Sequence, residues 1–176
     1  MSKSFPNYDI DSVLKDATPF QVLDWFVKNM PAPHEPSEQI MFPEERVPRD
    51  IMLLSIMWGN AFLSLIEGCS NGADDIYRAY IATQSFPLIE AKLAIQDCVS
   101  VMDAFNFPAL IASGAEPFFA LDDDKRVDFT TQIERIDARY FLNGGLWGVG
   151  EHEFLQEAYQ FVLRHLNVYR QRATMA

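Results

Sequence analysis

Apolar residues recur along this chain at intervals of three and four far more often than at every second position, so the pattern predicts helices and offers no alternating strand. After a short turn expected over residues 9–16, Thr18-Pro19 supplies a capping residue and a proline at the first helical position. Phe20, Leu23, Phe26, Val27 and Met30 then share one face, with Asp24 and Lys28 four apart on the other. Prolines at 31, 33, 36, 43 and 48 argue against regular helix over residues 31–48, a loop that Ile40, Met41 and Phe42 are expected to pin to the body.

Helix is expected to resume at Arg49 or Asp50 and to run to about Cys69, where Ser70-Asn71-Gly72 breaks it. The segment 73–84 aligns Ile76, Tyr77, Tyr80 and Ile81, and spaces Asp74 and Arg78 for a solvent-facing pair. Ser85 and Pro87 open a longer helix, with Leu88, Ala91, Ile95, Cys98, Met102 and Phe105 as its stripe and Asn106 and Pro108 as its end. A short helix at 108–112, a turn at 114–117 and core positions at Phe118, Phe119 and Leu121 follow.

Asp122, Asp123 and Asp124 offer a cap and first-turn anions to a helix facing Phe129, Ile133, Ile136 and Tyr140 inward, stopped by Asn143-Gly144. The last helix begins near Gly150 and passes Tyr169, with Leu155, Ala158, Tyr159, Val162 and Leu166 opposite Glu153, Glu157 and Arg164. The expectation is an all-α, single-domain irregular or orthogonal bundle of about six helices with a proline-rich loop at 31–48.

At 176 residues and 49% hydrophobic, the chain suits one well-buried core rather than two. Its net charge of −11, from 25 acids against 14 bases, is the feature that constrains partners. An acidic surface repels phosphate backbones and anionic membranes and attracts basic proteins, so neither direct nucleic-acid binding nor a membrane is expected. Only the C-terminal end is basic, with Arg164, Arg170 and Arg172 placed to suit a final helix dipole. The charge-free run over 51–66 falls short of the roughly 20 residues of a membrane span. The first six residues lack the apolar run of a secretory signal, which gives a cytoplasmic expectation, and Cys69 and Cys98 read as buried thiols without a disulfide.

No catalytic or ligand motif of comparable strength accompanies the charge. Glu151, Glu153 and Glu157 with His152 and His165 form the densest potential metal set, yet no Glu stands three before any of the histidines, as a di-iron helix bundle requires. Prolines 33 and 36 forbid a zinc-protease helix around His34, and Asp122–Asp124 lack the alternating acids and central glycine of a calcium loop. Gly144, Gly145, Gly148 and Gly150 follow no strand and recruit no lysine, which argues against a phosphate loop. Ser12 and Lys15 match a serine–lysine spacing without supporting motifs, and no nucleophile elbow is present. No metal, cofactor or catalytic residue is therefore expected.

Trp25 and Trp58 read as core and Asn60 as a buried amide needing a partner, while Trp147 either closes the core between two helices or stands out as an anchor for a partner. The leading expectation is an acidic module that binds a basic protein, as an inhibitor, an immunity factor neutralising a toxin or nuclease, or a dedicated chaperone would. Its contacts would be Asp122, Asp123, Asp124, Asp128, Trp147, Glu151, Glu153 and Glu157, where acids are densest. Two alternatives stay open: a small-ligand protein or enzyme with an interhelical pocket lined by Tyr77, Tyr80, Trp58 or Asn60, and a homo-oligomeric structural subunit.

Overall fold

The computed structural model describes residues 8–57, 61–69, 71–142 and 151–172. Trp58, Asn60, Trp147 and the glycine run 144–150 lie outside them. Among the described residues every regular element is helical and there is no strand.

The described residues hold eleven α-helices rather than the expected six or so, because several of the expected helices end sooner than periodicity alone predicts. α1 (Ile10–Leu14) is capped by Asp9, whose carboxylate accepts the Asp11 amide at 3.1 Å. α2 (Pro19–Asn29) opens on a reciprocal cap: the Thr18 hydroxyl accepts from the Gln21 amide while the Gln21 carboxamide accepts from the Thr18 amide. Val22, Leu23 and Phe26 face inward, whereas Phe20, expected on that face, sits in the first turn and is exposed. Asp24 and Lys28 pair as their spacing predicts.

The proline-rich loop is shorter than expected. It holds a 3-10 turn at Pro36–Ile40, and helix resumes at residue 43 rather than 49. Proline suits both a 3-10 turn start and the first turn of α3 (Pro43–Met57), where no amide donor is needed. Pro48 lies inside α3 and cannot donate to the Glu44 carbonyl four residues back; the Tyr169 hydroxyl donates to it instead, at 2.7 Å. Met41 is buried as expected, while Ile40 points outward.

The single helix expected to run on to Cys69 is two, α3 and α4 (Ala61–Gly68), with Ala61 in the left-handed region at φ 58°. Asp137 caps α4 from a distance, its two oxygens accepting the Phe62 and Leu63 amides at 2.9 and 3.0 Å. α5 (Gly72–Ala82) starts on the breaker glycine, because a Cβ there would sit 2.0 Å from the Leu65 carbonyl oxygen of α4.

α6 (Glu90–Ala104) begins after Leu88, which is therefore exposed, and ends at Asn106 in the left-handed region. α7 (Phe107–Ala112) and α8 (Pro117–Ala120) follow, with Phe118 buried and Phe119, expected in the core, exposed. α9 (Asp123–Asp137) runs into a π-helical turn at Ala138–Leu142. The final helix is broken at His165 into α10 (Glu151–Arg164) and α11 (Leu166–Arg172).

α3 lies between α2, α5 and α10; α6 joins α5, α9 and α10; and α4 rests on α5 and α9. The buried apolar side chains form one cluster from Tyr8 to Tyr169. In α10 it includes Phe154 and Phe161, a face rotated from the stripe expected through Leu155 and Tyr159, which are only partly buried. Among the described residues no single helix is long and apolar enough to cross a membrane.

Candidate functional site

The acids expected to form one patch divide between two helix starts. Asp122 caps α9, accepting the Lys125 amide at 2.9 Å and pairing with its ammonium at the same distance, contacts that hold its carboxyl below the usual range. Asp123 pairs with Arg126, Asp124 stands free in solvent, and Asp128 accepts from the Gln132 amide. Asp122 and Asp128 share the rim of a shallow cleft with Lys125, Phe105 and Leu110.

Glu151 opens α10, Glu153 is exposed, and Glu157 lies 3.8 Å from Arg164 with one buried oxygen lacking a hydrogen bond. No hydrogen bond or ion pair among the described residues joins the α9 acids to the α10 acids.

The bases are used differently. Lys28, Lys125, Arg126, Arg139, Arg164 and Arg170 pair with Asp24, Asp122, Asp123, Asp97, Glu157 and Asp11 at the surface. Lys92 turns onto the Gln84 and Phe86 carbonyls. Arg49, Arg78 and Arg172 are drawn further in, to a buried ionic network that sequence periodicity did not anticipate. The exposed Glu67, Glu90, Glu116, Asp124, Glu134 and Glu153 have no ion-pair partner among the described residues, and neither do the exposed bases Lys15 and Arg135, so the unmatched surface charge is mainly negative.

That network has two halves. In the first, Glu38 receives Arg49 and Arg78 at 2.5 and 2.6 Å and the His34 amide at 3.0 Å. Arg49 also donates to Asp50 and to the Pro31 carbonyl, and Arg78 to Asp74, which meets the His34 ring at 3.1 Å. The Asp74–Arg78 pair, expected to face solvent, thus anchors the proline-rich segment onto α3 and α5. Burial alone would raise the Glu38 pKa, but the donors from Arg78 and Arg49 outweigh it and hold it at about 2. Asp50 goes the other way, its burial dominating. Asp75 beside them is pushed up to about 6, first by burial and then by the Asp74 charge.

In the second half Arg172 grips Glu45 with two bonds of 2.7 Å, donates to the Ile40 carbonyl and lies 4.0 Å over the Phe42 ring. Tyr8 completes the Glu45 shell at 2.8 Å. Arg172, expected as a dipole cap, is instead a buried clamp. The signal for it was the spacing of Glu45, Arg49 and Met52, which lie on one helical face once α3 is started at Pro43.

Above the first half a cleft of about 600 Å³ opens between α3 and α5, closed at one end by Phe161 and His165. Tyr77, expected to line an interhelical pocket, borders it with its hydroxyl turned away to Asp103 at 2.7 Å. Compared with family models, curated proteins and solved structures, the chain matches none.

Proposed function

We propose that the protein is an acidic binding module that captures a basic protein partner by complementary charge, as an inhibitor or an immunity factor neutralising a toxin or nuclease does. The observation that carries this reading is the surplus of exposed carboxylates: Glu67, Glu90, Glu116, Asp124, Glu134 and Glu153 have no ion-pair partner among the described residues, against Lys15 and Arg135 among the exposed bases. Unmatched surface charge gains little for stability, since exposed pairs contribute only about 0–1 kcal/mol. It does raise encounter rates with an oppositely charged surface and disfavours acidic competitors. Asp122, Asp123, Asp124 and Asp128 at the start of α9, and Glu151, Glu153 and Glu157 at the start of α10, are the proposed contacts.

The test is to recover the partner that co-purifies with the tagged chain from its own cells and to measure association at low and high salt. A basic partner whose association rate falls on the order of tenfold or more between about 20 mM and 500 mM salt supports the reading. So does a parallel loss in Asp124→Asn/Asp128→Asn/Glu153→Gln. An acidic partner, or a rate indifferent to salt, refutes it.

A further inference from the structure

Two features of the α3–α5 cleft are left unexplained by the fold. Arg46 borders it with a charge that no described carboxylate matches: its Nη2 donates to the Glu38 carbonyl at 3.0 Å, and its Nε is buried without a hydrogen-bond partner. On the α5 wall Ile81 is 70% exposed, the largest aliphatic surface the cleft presents to water. A part-buried guanidinium without a counter-ion is unfavourable, and so is an uncovered isoleucine. One ligand with an anionic group and an apolar body answers both.

The remaining charges narrow the class. Asp50 is held by Arg49 and Asp74 by Arg78, each at 2.8 Å, which leaves Glu44 as the carboxylate of the lining without an ion pair among the described residues and makes an ammonium probe the necessary control. Both still line the cleft with Glu44 and would repel a dianion such as a phosphate ester. Val47 and Phe161, the latter stacked on His165 at 4.1 Å, provide apolar wall, and the volume lies within the range of small-molecule sites. We infer that the α3–α5 cleft binds a small monocarboxylate with an apolar body, its carboxylate on Arg46 and its body against Val47, Ile81 and Phe161. This site is independent of partner capture by the α9 and α10 acids.

The experiment titrates the full chain with three probes that share one apolar body: hexanoate, hexylammonium and hexyl phosphate, read by calorimetry. Hexanoate is expected to bind saturably with a Kd on the order of 1 mM, a reasonable affinity for so few atoms. Arg46→Gln weakens it at least tenfold. Ile81→Glu does the same, and because that side chain is exposed the variant keeps the wild-type melting midpoint, which separates loss of site from loss of fold. No saturation by hexanoate, equal or tighter binding of either other probe, or wild-type hexanoate affinity in either variant overturns the inference.

Discussion

Removing one hydroxyl, in Tyr169→Phe, tests whether α3 tolerates its internal proline because a distant side chain replaces the missing donor. Pro48 has no N–H, so the Glu44 carbonyl lacks its helical partner, and the Tyr169 hydroxyl donates to it at 2.7 Å from 125 residues away. The tyrosine is fully buried with its ring edge on Phe26 at 5.5 Å, so phenylalanine keeps the packing and loses only the donor. Burial also raises the phenol pKa, which keeps it a donor into alkaline solution. Leaving this part-buried carbonyl unsatisfied costs about 1 kcal/mol, the low end of the range for buried groups. In a Pro48→Ala background the restored amide at 48 can serve the same carbonyl, and the cost of Tyr169→Phe should fall by about 1 kcal/mol. Urea denaturation of the four proteins, with slopes checked for constancy, measures this coupling. Equal costs of Tyr169→Phe in the two backgrounds would refute the substitution of donors.

Asp75, with a folded pKa of about 6 against about 3.9 unfolded, favours the fold while protonated and loses that contribution as pH rises from about 4 through 6. Asp75→Asn should therefore raise the melting midpoint near pH 7.5 and leave it unchanged near pH 4; an equal shift at both would show that titration is not the cause. Arg172→Met strands the fully buried Glu45 carboxylate and should cost about 3–5 kcal/mol, while Glu45→Gln/Arg172→Met recovers a large part of it. Additive losses would refute the pair. Asp137→Ala orphans the two amides at the start of α4 and should cost about 1–2 kcal/mol, with Asp137→Asn costing less because its carboxamide oxygen still caps one of them. A loss of only a few tenths in the alanine variant would remove Asp137 from that role.

What periodicity could reach was the existence and inward face of each helix. Phe129 and Ile133, Ala91 through Met102, and Leu23, Phe26 and Met30 are buried where the 3.6-residue repeat places their stripes, apart from residues in the first turn or just before it such as Phe20 and Leu88. It did not place the breaks: Gly59-Asn60 before Ala61 is a local stop signal that the continuous apolar run masked, whereas His165 carries none, and the cap of α4 comes from far away, at Asp137. Nor could it reach the ionic network. Treating residues 31–48 as irregular removed Glu45 from any helical face, and with it the partner that draws Arg172 inward.

These two failures share a cause, and it bears on function. A base read as a surface cap is committed to an internal acid, so the pair removes one cation and one anion from the exterior together and leaves its net charge as the count along the chain has it. Arg49, Arg78 and Arg172 each stabilise the fold by neutralising a carboxylate that would otherwise be desolvated alone, and each is drawn inward together with that carboxylate. A variant that loosens Arg172 would weaken the core and free both Arg172 and Glu45, so changes in partner affinity in such a variant are interpretable only beside neutralisations at Asp124, Asp128 or Glu153, where the fold has no stake in an ion pair.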